Sequence, residues 1–201
     1  MKMLIFRNSN ILLLITVLAI GLLCGCSPMS EFVMDKNAGV NGSFEIVKSG
    51  LPVNWLIYTP RTVETGDFDL IIDTTEFKDG RQSLHFAVRE CSSTGGWNSP
   101  GFCKEFIAIP GESYKLSFWV KNDGCRFFAR IGGVSAHGGE YNTVVKSKAE
   151  IDDWKQFEYT YEMPSEKEFG RLRFEMSLLS PGNFWIDDLK IEDINGKSVI
   201  P

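Results

Sequence analysis

Histidine is scarce in this chain, with two residues in 201, and neither His85 nor His137 stands in a spacing that a metal site needs. A strand residue such as His85 then reads as a surface or groove side chain. The nearest approach to a nucleophile elbow, Gly133-Val134-Ser135-Ala136-His137, lacks the closing glycine and follows no helix. Basic residues are also short, 21 against 26 acidic ones, which excludes broad attraction to nucleic acid. Only one long apolar run exists, Ile11 to Leu23, so a multispan membrane protein is excluded. Amphipathic helices longer than two turns, internal repeats and low-complexity tracts are missing as well. What the chain does have is a 43% hydrophobic and 12% aromatic composition, enough for a packed core and too much for disorder.

The apolar run is shorter than the ~20 residues of a spanning helix, and Lys2 and Arg7 precede it. That pattern is a secretory signal peptide. It ends in Leu23-Cys24-Gly25-Cys26, which resembles the lipobox of bacterial lipoproteins. The resemblance implies cleavage after residue 25, acylation of Cys26, and two or three acyl chains as a stable anchor. Losing Lys2 and Arg7 takes the net charge from −5 to −7, which favours solubility and opposes docking on anionic lipid. Residues 26–40 lack periodicity and read as a tether.

From residue 41 to 201 the chain reads as one β domain. Leu84, Phe86 and Val88 alternate with polar or small residues. So do Tyr114, Leu116, Phe118 and Val120, then Phe157, Tyr159 and Tyr161, then Leu172, Phe174, Met176 and Leu178. Period two over such blocks predicts half-buried strands. Lys78-Asp79-Gly80, Ile109-Pro110-Gly111, Asn122-Asp123-Gly124 and Ser180-Pro181-Gly182-Asn183 supply turns between them. About ten strands so punctuated predict an all-β sandwich of jelly-roll type.

Three cysteines remain in the domain, Cys91, Cys103 and Cys125, and an odd number cannot all pair. Cys91 ends one strand and Cys103 begins the next. A bridge between them would close a small loop and stabilise by ~3 kcal/mol. Three buried thiols suit the same positions.

Several segments in order resemble one family group. They are Asn41-Gly42-Ser43-Phe44-Glu45 with Trp55 after it, Asp79-Gly80-Arg81-Gln82-Ser83-Leu84, Ile109-Pro110-Gly111 running into Tyr114–Val120, Trp154-Lys155-Gln156-Phe157, and Phe184-Trp185-Ile186-Asp187-Asp188-Leu189. Together they are similar to carbohydrate-binding modules of the xylan- and β-glucan-binding families, within the galactose-binding-like jelly rolls. The resemblance implies a structural Ca²⁺ held by Glu45, Asp187 and backbone carbonyls near Asp79 and Gln82, a mix of donors that calcium favours. It also implies a sugar cleft on a concave sheet face, where aromatic planes meet pyranose C–H faces and polar groups meet hydroxyls. Trp97, in Thr94-Gly95-Gly96-Trp97-Asn98-Ser99, matches a tryptophan-bearing binding turn. Arg173 and Glu175 match the groove-facing pair, and Arg61, Arg130 and Tyr141 are further candidates; Trp119, opposite the core face of its strand, is expected in the groove or under a loop. Trp55, Trp154 and Trp185 match core positions. Arg173 stands where xylan binders tend to carry an aromatic, which leaves the sugar open.

The expectation is a non-catalytic, monomeric glycan-binding lipoprotein of the bacterial cell envelope, touching membrane only through its anchor. Two other readings use the same fold. One is a structural or protein-interaction lipoprotein, and the other a small glycoside hydrolase or lyase with two cleft carboxylates.

Overall fold

Alternating sequence blocks become strands in the computed structural model, which describes residues 32–200. In chain order they are β1 (Val47–Lys48), β2 (Leu51–Pro52), β3 (Leu56–Tyr58), β4 (Asp67–Asp73), β5 (Ser83–Glu90) and β6 (Gly101–Ile107). Then follow β7 (Ser113–Asp123), β8 (Phe127–Ser135), β9 (Gly138–Ser147), β10 (Ile151–Glu162), β11 (Arg171–Leu178) and β12 (Gly182–Asp193). β1 and β2 form a small hairpin. The others make two antiparallel five-stranded sheets, ordered β10-β7-β12-β5-β4 and β3-β6-β11-β8-β9. The expected β-sandwich is present.

Each sheet turns one side inward because its strands alternate. In β7, Tyr114, Leu116, Phe118 and Val120 are buried, while Lys115, Ser117, Trp119 and Lys121 face away. In β11, Leu172, Phe174 and Met176 point into the core. Phe102 and Phe174 of one sheet meet Phe86 and Phe118 of the other, with ring centroids about 6 Å apart. Trp55 lies edge-on to Phe102 at 5.2 Å and is fully buried, as expected.

The chain start is bound into the sandwich. Gly42 O accepts from Leu189 N at 2.9 Å, and a Cβ on Gly42 would lie 1.7 Å from the Leu189 carbonyl oxygen. Only glycine allows that approach. Residues 33–40, expected as tether, are docked as well. Asn54 N donates to Val33 O, and the Asn54 amide donates to the carbonyls of Asp35 and Gly39. The segment expected to be a signal peptide, and Cys26, lie outside the described residues.

Trp154 and Trp185 correct an expectation. Both are half-buried rather than core. Trp185 alternates with buried Phe184 and Ile186, so it faces outward, stacked on His85 at 4.2 Å and donating to Asp73 at 2.9 Å. Trp154 stands where the pairing of β10 with β7 shifts register, between Ile151 and Lys155.

Candidate functional site

The outward face of the β3-β6-β11-β8-β9 sheet collects most of the polar residues singled out from the sequence. Register places Arg173 opposite Glu105 on one side and Gly132 on the other, and Glu175 opposite Cys103 and Arg130. Gly132 has no side chain, so Tyr141 of the next strand packs over it; a Cβ there would lie 2.6 Å from the Tyr141 ring. The Arg130 guanidinium sits 4.5 Å from the centroid of that ring. Its Nε and Nη2 donate to Glu175 Oε2 at 3.2 and 2.8 Å. Arg173 Nη2 lies 3.5 Å from the same oxygen and donates to Tyr58 Oη at 3.3 Å. Tyr58 donates in turn to the Cys103 sulfur at 3.3 Å. The outer rim is Glu105, 3.1 Å from Arg171 and 3.6 Å from Arg173.

Glu175 is fully buried, and a buried carboxylate is tolerated only with partners. Two guanidinium groups meet its Oε2. Its Oε1, like Arg173 Nε, has no hydrogen-bond partner among the described residues. Both atoms are buried, Glu175 Oε1 beneath Gly96, so the floor meets solvent through the partly exposed Arg173, Arg130 and Tyr141 side chains. Burial works against the charge on Arg173, but Cys103, Tyr58 and Glu175 around it raise its pKa further above the usual range. Burial likewise pushes Tyr58 well above the ordinary phenol range, so it remains a donor.

One wall of this floor is the loop between β5 and β6. Gly95 and Gly96 have φ of 80° and 60°, and a Cβ on Gly95 would strike the Phe128 ring at 2.6 Å. These conformations belong to glycine. The loop is pinned from Gly96 N to Ser177 Oγ at 3.1 Å and from Ser99 Oγ to Ser92 O at 2.7 Å. The short turn Gly96–Asn98 then presents Trp97, 52% exposed, against Tyr58, which is fully buried, at a centroid distance of 4.8 Å.

Thus Trp97, Arg173, Glu175, Arg130 and Tyr141 share one face. Trp119 does not. It belongs to the other sheet, with the Lys78 ammonium 3.9 Å above its ring. Arg61 lies in the exposed turn that follows β3.

The residues assigned to calcium fold differently from the carbonyl cage that the resemblance implies. Asp187 Oδ2 accepts the amides of Lys78 and Asp79 at 2.7 and 2.8 Å, and Oδ1 accepts Asp188 N. Glu45 Oε1 accepts Arg81 and Gln82 amides at 2.8 and 3.1 Å. Backbone N–H groups, not carbonyls, meet both carboxylates. Such a set does not fit a calcium ion, which takes oxygen donors. No cluster of three metal-ligating side chains occurs among the described residues.

The Cys91–Cys103 bridge is also corrected. Cys91 follows β5 in one sheet, and Cys103 is in β6 of the other. All three thiols are free. Cys103 faces Tyr58 and Arg173, while Cys91 points at the Leu178 carbonyl. Burial pushes Cys125 up to about 12.

Sequence reasoning missed Tyr58, Glu105 and the floor role of Cys103. They reach the face through pairing of β3 with β6 and of β6 with β11, which no local pattern announces.

A family model described as a carbohydrate binding domain matches residues 37–182. No curated protein matches the chain. Among solved structures, it is similar to the CBM22-1 xylan-binding domain of Paenibacillus barcinonensis, at 14% identity and TM-score 0.55, covering 78% of this chain and 93% of that one. The C-terminal family 22 carbohydrate-binding module of a Clostridium thermocellum protein gives 17% and 0.54, covering 81% and 98%. The enzymatically active domain of tailspike protein 4 of bacteriophage CBA120 gives 18% and 0.54, covering 77% of this chain but 21% of that one. Identities this low speak for the fold.

Proposed function

We propose that this chain, which belongs to the carbohydrate-binding domain family, captures a poly- or oligosaccharide on the outer face of the β3-β6-β11-β8-β9 sheet without cleaving it. The observation that carries the reading is the half-exposed Trp97 beside a floor that offers the partly exposed polar side chains of Arg173, Arg130 and Tyr141. An indole offers a plane for the apolar side of a pyranose, and hydroxyls answer the floor. Xylan binding by two structural neighbours, as their names state, supports the sugar class.

A binding role, rather than hydrolysis, is favoured by the two carboxylates of the face. Glu175 is held by Arg130 and Glu105 by Arg171, an arrangement that orients groups rather than freeing them for proton transfer. The lipobox-like Leu23-Cys24-Gly25-Cys26 supports a protein tethered in the cell envelope through acylated Cys26, acting as a monomer at the end of its anchor.

Affinity electrophoresis of the full-length chain through gels containing xylan, β-glucan or pectin tests the binding. Retardation by at least one polysaccharide, lost in Trp97→Ala, is expected. Unretarded migration in all of them would overturn the reading. Cys26→Ala should release the chain from membrane fractions; continued membrane attachment sinks the anchor.

A further inference from the structure

Next to the groove floor is a cavity of about 280 Å³. Phe32, Met34 and Leu56 form its apolar walls, and Lys104, Glu105 and Arg173 its polar ones. Lys104 is the anomaly of β6. It alternates in phase with the core residues Phe102 and Phe106 and is only 6% exposed. Its ammonium has no hydrogen-bond partner among the described residues, with ring centroids of Phe32 and Phe106 at 5.7 and 5.8 Å. Arg173 Nε, from the same cavity wall, has no partner either. Glu105 is the carboxylate of this wall, and its two oxygens are taken by Arg171 and Arg173 Nη1.

Of the two cations on this cavity, Arg173 is paired with Glu105 and Glu175, and Lys104 has no anion among the described residues. An unpaired ammonium away from water is costly, and a negatively charged ligand group would relieve that cost. Burial holds Lys104 down to about 8, which leaves the amine mostly charged at neutral pH. Phe32 and Met34 are 39% and 59% exposed, so this wall meets solvent. Arg173 belongs to both the cavity and the groove floor, so whatever enters would be continuous with a sugar lying on the floor.

We propose that this cavity is an acid-recognising subsite, and that the captured glycan carries carboxylates of the kind found on uronic acid units. The proposal rests on the neighbouring face being a glycan site. Lys104 would hold the carboxylate by a charge-assisted hydrogen bond, with the apolar walls against the ring.

Calorimetric titration of the full-length chain with xylohexaose, a glucuronate-bearing xylo-oligosaccharide and an oligogalacturonate tests it. At least one acidic probe should bind about tenfold or more tightly than the neutral one, as expected for one charge-assisted contact. Added salt should narrow the gap, and Lys104→Met should close it while leaving neutral binding unchanged. Equal affinity for acidic and neutral probes overturns the subsite but leaves the glycan face standing. An acidic preference that survives Lys104→Met also overturns it. Binding of none of the three overturns the subsite and the glycan reading together. The comparison of probes on the unsubstituted chain decides even if Lys104→Met does not fold.

Discussion

Trp97 leans on Tyr58 with ring centroids 4.8 Å apart and planes inclined by 46°, so one aromatic faces solvent while the other supports it from beneath. The two should answer mutation differently. Trp97→Ala is expected to lose about 1–3 kcal/mol of glycan affinity, the worth of one stacking plane. Its cost to stability should stay well below that of Tyr58→Ala, which opens a buried site at about 3–5 kcal/mol. Calorimetric binding and urea melts on both variants check this. A large stability loss with unchanged affinity for Trp97→Ala would remove it from the site.

Glu175→Gln should weaken both folding and binding. It removes the charge that Arg130 and Arg173 share, and a broken buried pair costs about 3 kcal/mol or more. Arg130→Ala is expected to cost less, because its guanidinium reaches solvent. Chemical denaturation of the two variants ranks them, and a milder effect for Glu175→Gln contradicts the floor described above.

Stability should vary with pH in two separate windows. Burial raises Asp187 from 3.8 to about 6, against the pull of the Asp79, Lys78 and Asp188 amides. The folded state therefore binds its proton more tightly, and stability present below 3.8 is lost as pH rises through about 6. That gap corresponds to about 3 kcal/mol. Asp73 runs the other way. Burial opposes its charge, but bonds from Trp185, Thr75 and Glu76 hold it down to about 2, so its stabilisation exists above 3.8 and is lost as pH falls through 2. Melts of Asp187→Asn should lack the loss between pH 4 and 6; an unchanged slope contradicts this assignment.

Calcium should not matter to folding. Five amides already serve Glu45 and Asp187, so neither excess calcium nor chelator is expected to move the Tm. A Tm that climbs logarithmically with free calcium, by linkage, would show a site these residues do form.

The alternation in Tyr114–Val120 and Leu172–Leu178 made strands and inward faces legible, because period two is a local property. It also told that Arg173 and Glu175 face away from Phe174. Which sheet an outward residue joins is not local. Trp119 and Arg173 both alternate with core residues, yet they lie on opposite sides of the sandwich because β7 pairs with β12 and β11 with β6 and β8. Trp185 misled for a related reason: its neighbours Phe184 and Ile186 are core, and an indole satisfied by Asp73 and His85 covers an outer face as comfortably as it fills an interior. Cys91 and Cys103, near in sequence, are separated by the crossing from one sheet to the other.

β11 is the middle strand of its sheet, paired with β6 and β8. Its register ties Arg173 to Glu105 and Glu175 to Arg130, and Tyr58 reaches the same floor from still earlier in the chain. Nothing resembling the floor can exist on a partly translated or half-collapsed polypeptide. Contacts of such long sequence separation form slowly, on the millisecond-to-second scale typical of β-sandwiches. Sugar affinity should consequently appear in a refolding experiment with the last kinetic phase, making ligand capture a clock for closure of the whole sandwich.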